Sequence, residues 1–321
     1  MRAIARCVRA RTFAASSNMP NDPTSGVVGR SRETELVVAA LAARRHVVLE
    51  GPPGTGKSTL LRSVARSFGV SFVFVEGNAE LTPSRLIGNF DPARVLDEGY
   101  VPASFVDGPL VQALREGSLL YIEEINRIPE ETLNVLVTVM SEGEITIPRY
   151  GKVTAGDGFR LVAAMNPFDA VGTARISSAI SDRVCRVAMT YQSRDDEVAI
   201  VEHATNGQLS LADREWLKGV VEVTRATRGH QDLRVGSSVR GAIDTVLIAE
   251  QLMAMRGAGA TRTACGRDAA IVSLSGRVRV REGVTRSSES IIEELWDNQF
   301  NDATREPSGK VSAPTGATSN R

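Results

Sequence analysis

The stretch Gly51-Pro52-Pro53-Gly54-Thr55-Gly56-Lys57-Ser58 constrains this chain more than any other. Three glycines and two prolines among its first six residues bar a regular helix or strand there. Immediately before it, His46 to Glu50 reads as a strand. Immediately after it, Ser58 to Phe68 reads as a helix with Leu60, Leu61, Val64, Ala65 and Phe68 on one face. A strand, a glycine turn and a helix in that order build a backbone cradle whose N–H groups, with the N-terminus of the helix, suit an anion.

The same alternation continues. Ser71 to Val75 and Ser118 to Ile122 read as strands. Pro129 opens a helix with Glu130 and Glu131 in its first turn and Leu133, Leu136, Val137 and Met140 at helical spacing. Glu144 to Ile147 and Lys152 to Thr154 flank Pro148 to Gly151 as a hairpin, and Arg160 to Ala164 is a buried strand. Strands alternating with helices predict an α/β fold, a parallel sheet covered on both faces. Beyond Tyr191 the texture turns helical over Asp195 to Thr205, Leu211 to Arg225, Val239 to Met255 and Ser287 to Trp296. The expected layout is an arm over 1–25, an αβα core over 26–191, a smaller all-helical lid over 192–296 and a disordered tail over 297–321. The arm holds Arg2, Arg6, Arg9 and Arg11 with no acid before Asp22. It reads as an organellar transit peptide, an unstructured arm, or an over-extended start with Met19 as initiator.

Composition excludes several classes. With 42% apolar and 24% charged residues over 321 positions, wholesale disorder is out. The longest apolar run, Leu36 to Ala43, falls far short of the ~20 residues of a membrane span. Lys plus Arg equals Asp plus Glu at 38 each, so no global field gathers nucleic acid. Cys7, Cys185 and Cys265 are too far apart for a zinc pattern and fit a reducing, cytoplasmic setting as inert thiols. His46, His203 and His230 are scattered and carry no catalytic or metal role.

The octapeptide matches G-x-x-x-x-G-K-[ST], so its chemistry is that of a phosphate loop. Gly51, Pro52, Pro53, Gly54, Thr55, Gly56, Lys57, Ser58 and Thr59 form the cofactor-binding run. Lys57 places a point charge between the β- and γ-phosphates of ATP, and Ser58 offers its hydroxyl to Mg²⁺. Only four of the 38 basic residues are lysine (Lys57, Lys152, Lys218 and Lys310), and one of them stands where a compact ammonium is needed. About 70 residues on, Leu119-Leu120-Tyr121-Ile122-Glu123-Glu124 supplies an acidic strand end. Its first acid, Glu123, is suited to holding the metal and its second, Glu124, to polarising the attacking water.

Three further runs carry a resemblance: Glu123-Glu124-Ile125-Asn126-Arg127, Phe105-Val106-Asp107-Gly108-Pro109-Leu110 and Ala164-Met165-Asn166-Pro167. Together they resemble the MoxR family of AAA+ ATPases, in the helix-2-insert clade that also includes magnesium-chelatase-like proteins, over about Val27 to Trp296. The resemblance implies a P-loop NTPase core with a five-stranded sheet plus a helical lid. It also implies assembly into a homo-oligomeric ring, usually a hexamer, and ATP-driven, chaperone-like remodelling of a client, often with a von Willebrand A domain partner. On it, Asn166 resembles sensor 1, with an Asx turn before Pro167 as the structural alternative. Arg183 resembles the arginine finger, with Arg175 competing, and Arg240 resembles sensor 2. Val27-Val28-Gly29-Arg30 looks like the segment that lies against adenine, and the hairpin at Arg149 and Tyr150 is either a client contact or a solvated tip.

Two residues depart from the family: Glu123 stands for its Asp, and Tyr191-Gln192 for its Tyr-Pro, the latter expected to alter only the linker to the lid. Glu123 keeps open a nucleotide-gated scaffold with negligible hydrolysis. Glu-Glu-Ile-Asn-Arg also resembles GTP-driven DNA restriction motors, against which the zero net charge counts.

Overall fold

A computed structural model describes residues 27–167, 177–205 and 211–301. It divides into two compact units, the first ending at Ser193 and the second beginning at Arg194.

The first unit runs α1 (Ser31–Ala42), β1 (His46–Glu50), α2 (Lys57–Phe68), β2 (Phe72–Glu76), α3 (Pro83–Ile87), β3 (Gly88–Phe90), α4 (Pro92–Glu98) and β4 (Phe105–Asp107). It continues through α5 (Pro109–Glu116), β5 (Leu119–Glu123), α6 (Glu130–Glu142), β6 (Glu144–Ile147), β7 (Gly151–Thr154), β8 (Arg160–Met165), α7 (Ser178–Ser181) and β9 (Val184–Ala188). Five strands pair in parallel in the order β2-β5-β8-β1-β9. Alternate residues of these strands enter opposite cores, as the two-residue period of a strand requires. Val47, Leu49, Tyr121 and Val162 pack with Val37 and Leu41 of α1 and Leu60, Leu61 and Val64 of α2. Val48, Leu120, Ile122 and Leu161 pack with Leu110 and Leu114 of α5 and Leu133 and Leu136 of α6.

The segment between β2 and α5, which carries little periodicity ahead of the run beginning at Phe105, folds as short pieces, among them two helices with proline at their first position and the β3–β4 pair. Leu96, Tyr100, Val101 and Val106 of this segment are exposed. The expected hairpin is β6–β7. Its tip is packed along one side: the Tyr150 ring lies 4.8 Å from that of Phe105, and the Arg149 guanidinium lies 4.0 Å over Tyr100.

The second unit contains α8 (Arg194–Ala204), α9 (Leu211–Gly229), β10 (Leu233–Val235), α10 (Val239–Arg256), α11 (Arg262–Leu274), β11 (Arg279–Val280) and α12 (Ser288–Asn301). β10 and β11 pair antiparallel, so the unit is helical with one small strand pair rather than all-helical. Its core gathers Val201, Leu217, Val220, Val246, Leu274, Ile291 and Trp296. Buried Glu197 is held by Arg225 at 3.0 Å and Arg228 at 2.8 Å, the pairing that a carboxylate out of water requires. The expected disordered tail starts too early at 297, because α12 continues to Asn301 and the Phe300 ring stacks on Trp296 at 4.3 Å. The arm over 1–25 and the rest of the tail lie outside the described residues. No helix among the described residues is long and apolar enough to cross a membrane.

His46 opens β1, with its Nδ1 accepting from the Leu161 N–H at 2.9 Å and its ring edge-on to Phe159. Burial, and then the Arg160 guanidinium, lowers its pKa from 6.5 to about 4. The fold holds the neutral ring, so protonation favours the unfolded chain. Stability is therefore full above about pH 6.5 and declines as pH falls toward 4. Between pH 7 and pH 4.5 the parent is expected to lose on the order of 1–2 kcal/mol more unfolding free energy in urea than His46→Gln. Equal losses in the two proteins would contradict this account of His46.

Candidate functional site

Three chain segments meet at the carboxyl edge of the sheet because of how β1 is paired. β1 lies between β8 and β9, with Glu50 level with Met165 on one side and Ala188 on the other. The ladder ends with the Gly51 N–H on Met165 O at 3.2 Å and the Met189 N–H on Glu50 O at 2.7 Å. A Cβ at Gly51 would stand 2.2 Å from the Met189 carbonyl oxygen, so no other residue fits there without moving β9. In parallel sheets ligands bind in the crevice beyond the carboxyl ends of the strands.

From Gly51 the loop turns through Pro52 and Pro53, then through Gly54 and Gly56 at φ +72° and +83°, and enters α2 with Gly56 as N-cap. The Thr55 hydroxyl donates to Pro52 O at 2.9 Å. Lys57 is buried, and its ammonium donates to Gly51 O at 2.9 Å and Pro52 O at 2.8 Å. Those bonds hold the charge over the loop. Thr59 is exposed on the first turn of α2.

Ser58 Oγ donates to Glu123 Oε1 at 2.8 Å and lies 3.1 Å from the Tyr121 hydroxyl. Tyr121 is fully buried against Phe72 and Phe74, and burial pushes its phenol well above the usual range, so it stays neutral. A serine hydroxyl beside a carboxylate is a hard-oxygen donor set of the kind Mg²⁺ takes with phosphate oxygens. The residues present therefore fit that ion, and Ser58 and Glu123 are the side chains that would hold it. Glu124 follows at φ +54°, a left-handed conformation rare outside glycine, and its Oε2 pairs with Arg127 Nη1 at 3.0 Å. Asn166 is the residue after Met165, and its carbonyl lies 3.5 Å from Asn126 Nδ2. The loop, Glu123, Glu124 and Asn166 thus share one edge of the sheet.

Arg183 is not part of that cluster. Arg183 immediately precedes β9, whose first residue is level with His46 at the far end of β1. A strand of that length, at ~3.3 Å per residue, separates it from the loop by roughly 16 Å. Its Nε donates to Ser141 Oγ at 2.6 Å and its Nη1 to Ala179 O at 2.8 Å. Arg240 is exposed near the start of α10 in the second unit, and Arg175 lies outside the described residues.

The sequence places Arg30 in a segment expected against adenine and Gln192 in a linker, but does not foresee that both reach the loop. Arg30 is 2% exposed and bonds the loop at Thr55 O. Gln192 is buried with its Nε2 3.5 Å from the same oxygen, so it faces the phosphate loop rather than only shaping a linker. The run ending at Arg30 points toward the nucleotide but not toward the Thr55 carbonyl, and no local pattern marks Gln192.

The fold and this edge are those of a P-loop NTPase-like domain. Residues 46–184 match the family described as AAA domain (dynein-related subfamily). An uncharacterized protein of Staphylococcus aureus (strain NCTC 8325) is 31% identical over 186 residues, 57% of this chain and 68% of that one. The uncharacterized protein YeaC of Bacillus subtilis is 28% identical, over 68% of this chain and 72% of that one. Among solved structures, a Cytophaga hutchinsonii protein described as a candidate ATPase shares the fold at TM-score 0.50 and 20% identity, covering 92% and 96% of the two chains. Thermotoga maritima RuvB, a Holliday junction branch migration motor, does so at TM-score 0.50 and 18% identity, over 76% and 70%. The chain belongs to the same family as the Staphylococcus aureus protein, and its first unit carries the AAA domain.

If Ser58 and Glu123 serve the cation, Ser58→Ala should bind ATP in EDTA within about threefold of the parent and lose most of the gain in affinity on adding Mg²⁺. Titration calorimetry in both buffers reads this, and an undiminished Mg²⁺ gain would remove Ser58 from the metal site.

Proposed function

We propose that this protein is a Mg²⁺-dependent ATPase of MoxR type that works as a ring of its own copies, a hexamer, and uses ATP turnover to remodel a client protein with a von Willebrand A domain partner. The observation that carries the ring is the placement of Arg183. Lys57, Ser58 and the two acids approach a nucleotide from one side, while Arg183 sits at the opposite end of the sheet. Within one protomer it cannot reach a γ-phosphate held by the loop. A guanidinium there completes a site only on a neighbouring copy, where charge stabilisation of this kind is worth ~10³ or more in rate.

The steps assigned to this chain's residues follow from the site. Loop amides and Lys57 hold the phosphates, and Asn166 orients the water or the γ-phosphate. Glu124 accepts the water's proton as it attacks, and Arg183 of the next copy meets the charge that develops. Bound Mg²⁺ would neutralise phosphate charge from its place on Ser58 and Glu123. The longer side chain of Glu123 still brings its carboxylate to 2.8 Å from the Ser58 hydroxyl, which favours hydrolysis over a purely gated scaffold. Arg240 is assigned a sensor role toward nucleotide by its motif alone.

Glu124→Gln should bind ATP like the parent and hydrolyse it at least 100-fold more slowly, as loss of a positioned base predicts. Parental turnover in that variant would remove Glu124 from the mechanism. The ring is tested separately. Arg183→Ala should keep ATP binding and lose turnover, and Lys57→Ala should lose both. Mixing the two should restore part of the activity, because some interfaces then pair an intact loop with an intact arginine. Mixed assemblies that form, by tagged pull-down, yet stay inactive at every ratio would overturn the trans role of Arg183.

A further inference from the structure

Arg30 ends the opening segment Val27-Val28-Gly29-Arg30 and is almost wholly buried. Its Nη1 is held by Glu33 Oε1 at 2.7 Å. Its Nη2 donates to two carbonyls at once, Thr55 O in the phosphate loop at 3.0 Å and Thr190 O just past β9. Gln192 Nε2 approaches the same Thr55 oxygen at 3.5 Å, and a Cβ added to Gly56 would meet that amide nitrogen at 3.7 Å. Two buried donors, one from before α1 and one from beyond β9, thus converge on a single loop carbonyl.

The consequence follows from peptide geometry. In a trans peptide the carbonyl and the next N–H point in opposite directions. Holding the Thr55 carbonyl toward Arg30 therefore aims the Gly56 N–H away from Arg30, out of the packed side of the loop. Gly56 itself sits at φ +83°, and a glycine there leaves its peptide many alternatives when nothing holds it. Each alternative would take one donor out of the cradle. A guanidinium suits the task because its planar fork can hold a carboxylate and two carbonyls together, whereas a lysine ammonium is a single point on a flexible stem.

We propose that Arg30, assisted by Gln192, is a positioning residue for polyphosphate binding: it presets the Thr55–Gly56 peptide so that the Gly56 N–H faces the anion, and it ties that orientation to Thr190 at the end of β9. This rests on reading the loop as the nucleotide site. The recognised chemistry is the polyphosphate itself rather than the base, so inorganic tripolyphosphate is a sufficient probe.

The test uses the full chain, with tripolyphosphate and ATP titrated calorimetrically in Mg²⁺ and folding monitored by circular dichroism at the same temperature. Arg30→Met should weaken both ligands at least tenfold while folded. KM for ATP should rise to match, and kcat at saturation should stay within about threefold, a split that a general loss of folded protein would not produce. Arg30→Lys should recover part of the loss. Gln192→Met should weaken tripolyphosphate about threefold, and in the Arg30→Met background its effect should shrink, because both act on one carbonyl. Parental tripolyphosphate affinity in folded Arg30→Met overturns the proposal. Should that variant fail to fold, Arg30→Lys and Gln192→Met decide, and parental affinity in both overturns it. A parent chain that binds neither ligand would overturn the nucleotide reading itself, and this proposal with it.

Discussion

The pairing of one strand, β1, sets the positions of the other parts of the site. Its ladder to β8 ends at the Gly51 N–H and its ladder to β9 at the Met189 N–H, so the chain leaves the sheet at a point hemmed in from both sides. With 2.2 Å between a would-be Cβ at position 51 and the Met189 oxygen, the turn must begin on glycine and must rise from the sheet edge. The same registers bring Asn166 beside Gly51 and send Arg183 to the far end. One set of strand pairings therefore gathers the loop, the acids and the amide and separates the arginine from them.

Charge is handled inside this unit by short, specific pairings rather than by field. Lys57 rests on two carbonyls, Arg30 on two carbonyls and Glu33, and Glu124 on Arg127. A buried cation needs such partners, since an unpaired charge out of water costs several kcal/mol. These pairings also hold the groups in one orientation, which matters in a site where backbone N–H direction and side-chain reach decide what is bound. Arginine prevails among the basic residues of the chain, and the lysine in the loop stands where a compact charge rather than a planar fork is required.

Much of the first unit is legible in the order of its residues. Each of the central strands has an apolar run of three to five residues, and α2 and α6 carry large apolar residues at helical spacing, so period and length locate them within one or two residues. Other elements are silent for identifiable reasons. α11 buries Cys265, Gly266, Ala269, Ala270 and Ser273, small side chains that let α10 and Trp296 approach but form no apolar stripe. α4 buries nothing. The end of α12 escapes a reading by pattern because Asp297, Asn298, Gln299 and Asn301 look like a tail, while the single ring of Phe300 on Trp296 holds that turn in place.

By itself, the order of residues determined the strand, glycine turn and helix of the phosphate loop, the acidic end of β5 and the alternation that makes the sheet parallel, since all of these depend on neighbours in the chain. The tertiary structure decided which distant residues meet that loop. Arg30 lies 25 positions before Thr55 and Gln192 137 positions after it, and they converge on one carbonyl only because β9 folds back beside β1. It also decided that Arg183, a near sequence neighbour of Gln192, lies at the opposite end of the sheet. The physical reason is the same in both cases. A local pattern records what each residue needs from solvent and backbone, whereas the hydrogen-bond register between strands far apart in the chain sets which needs are met together.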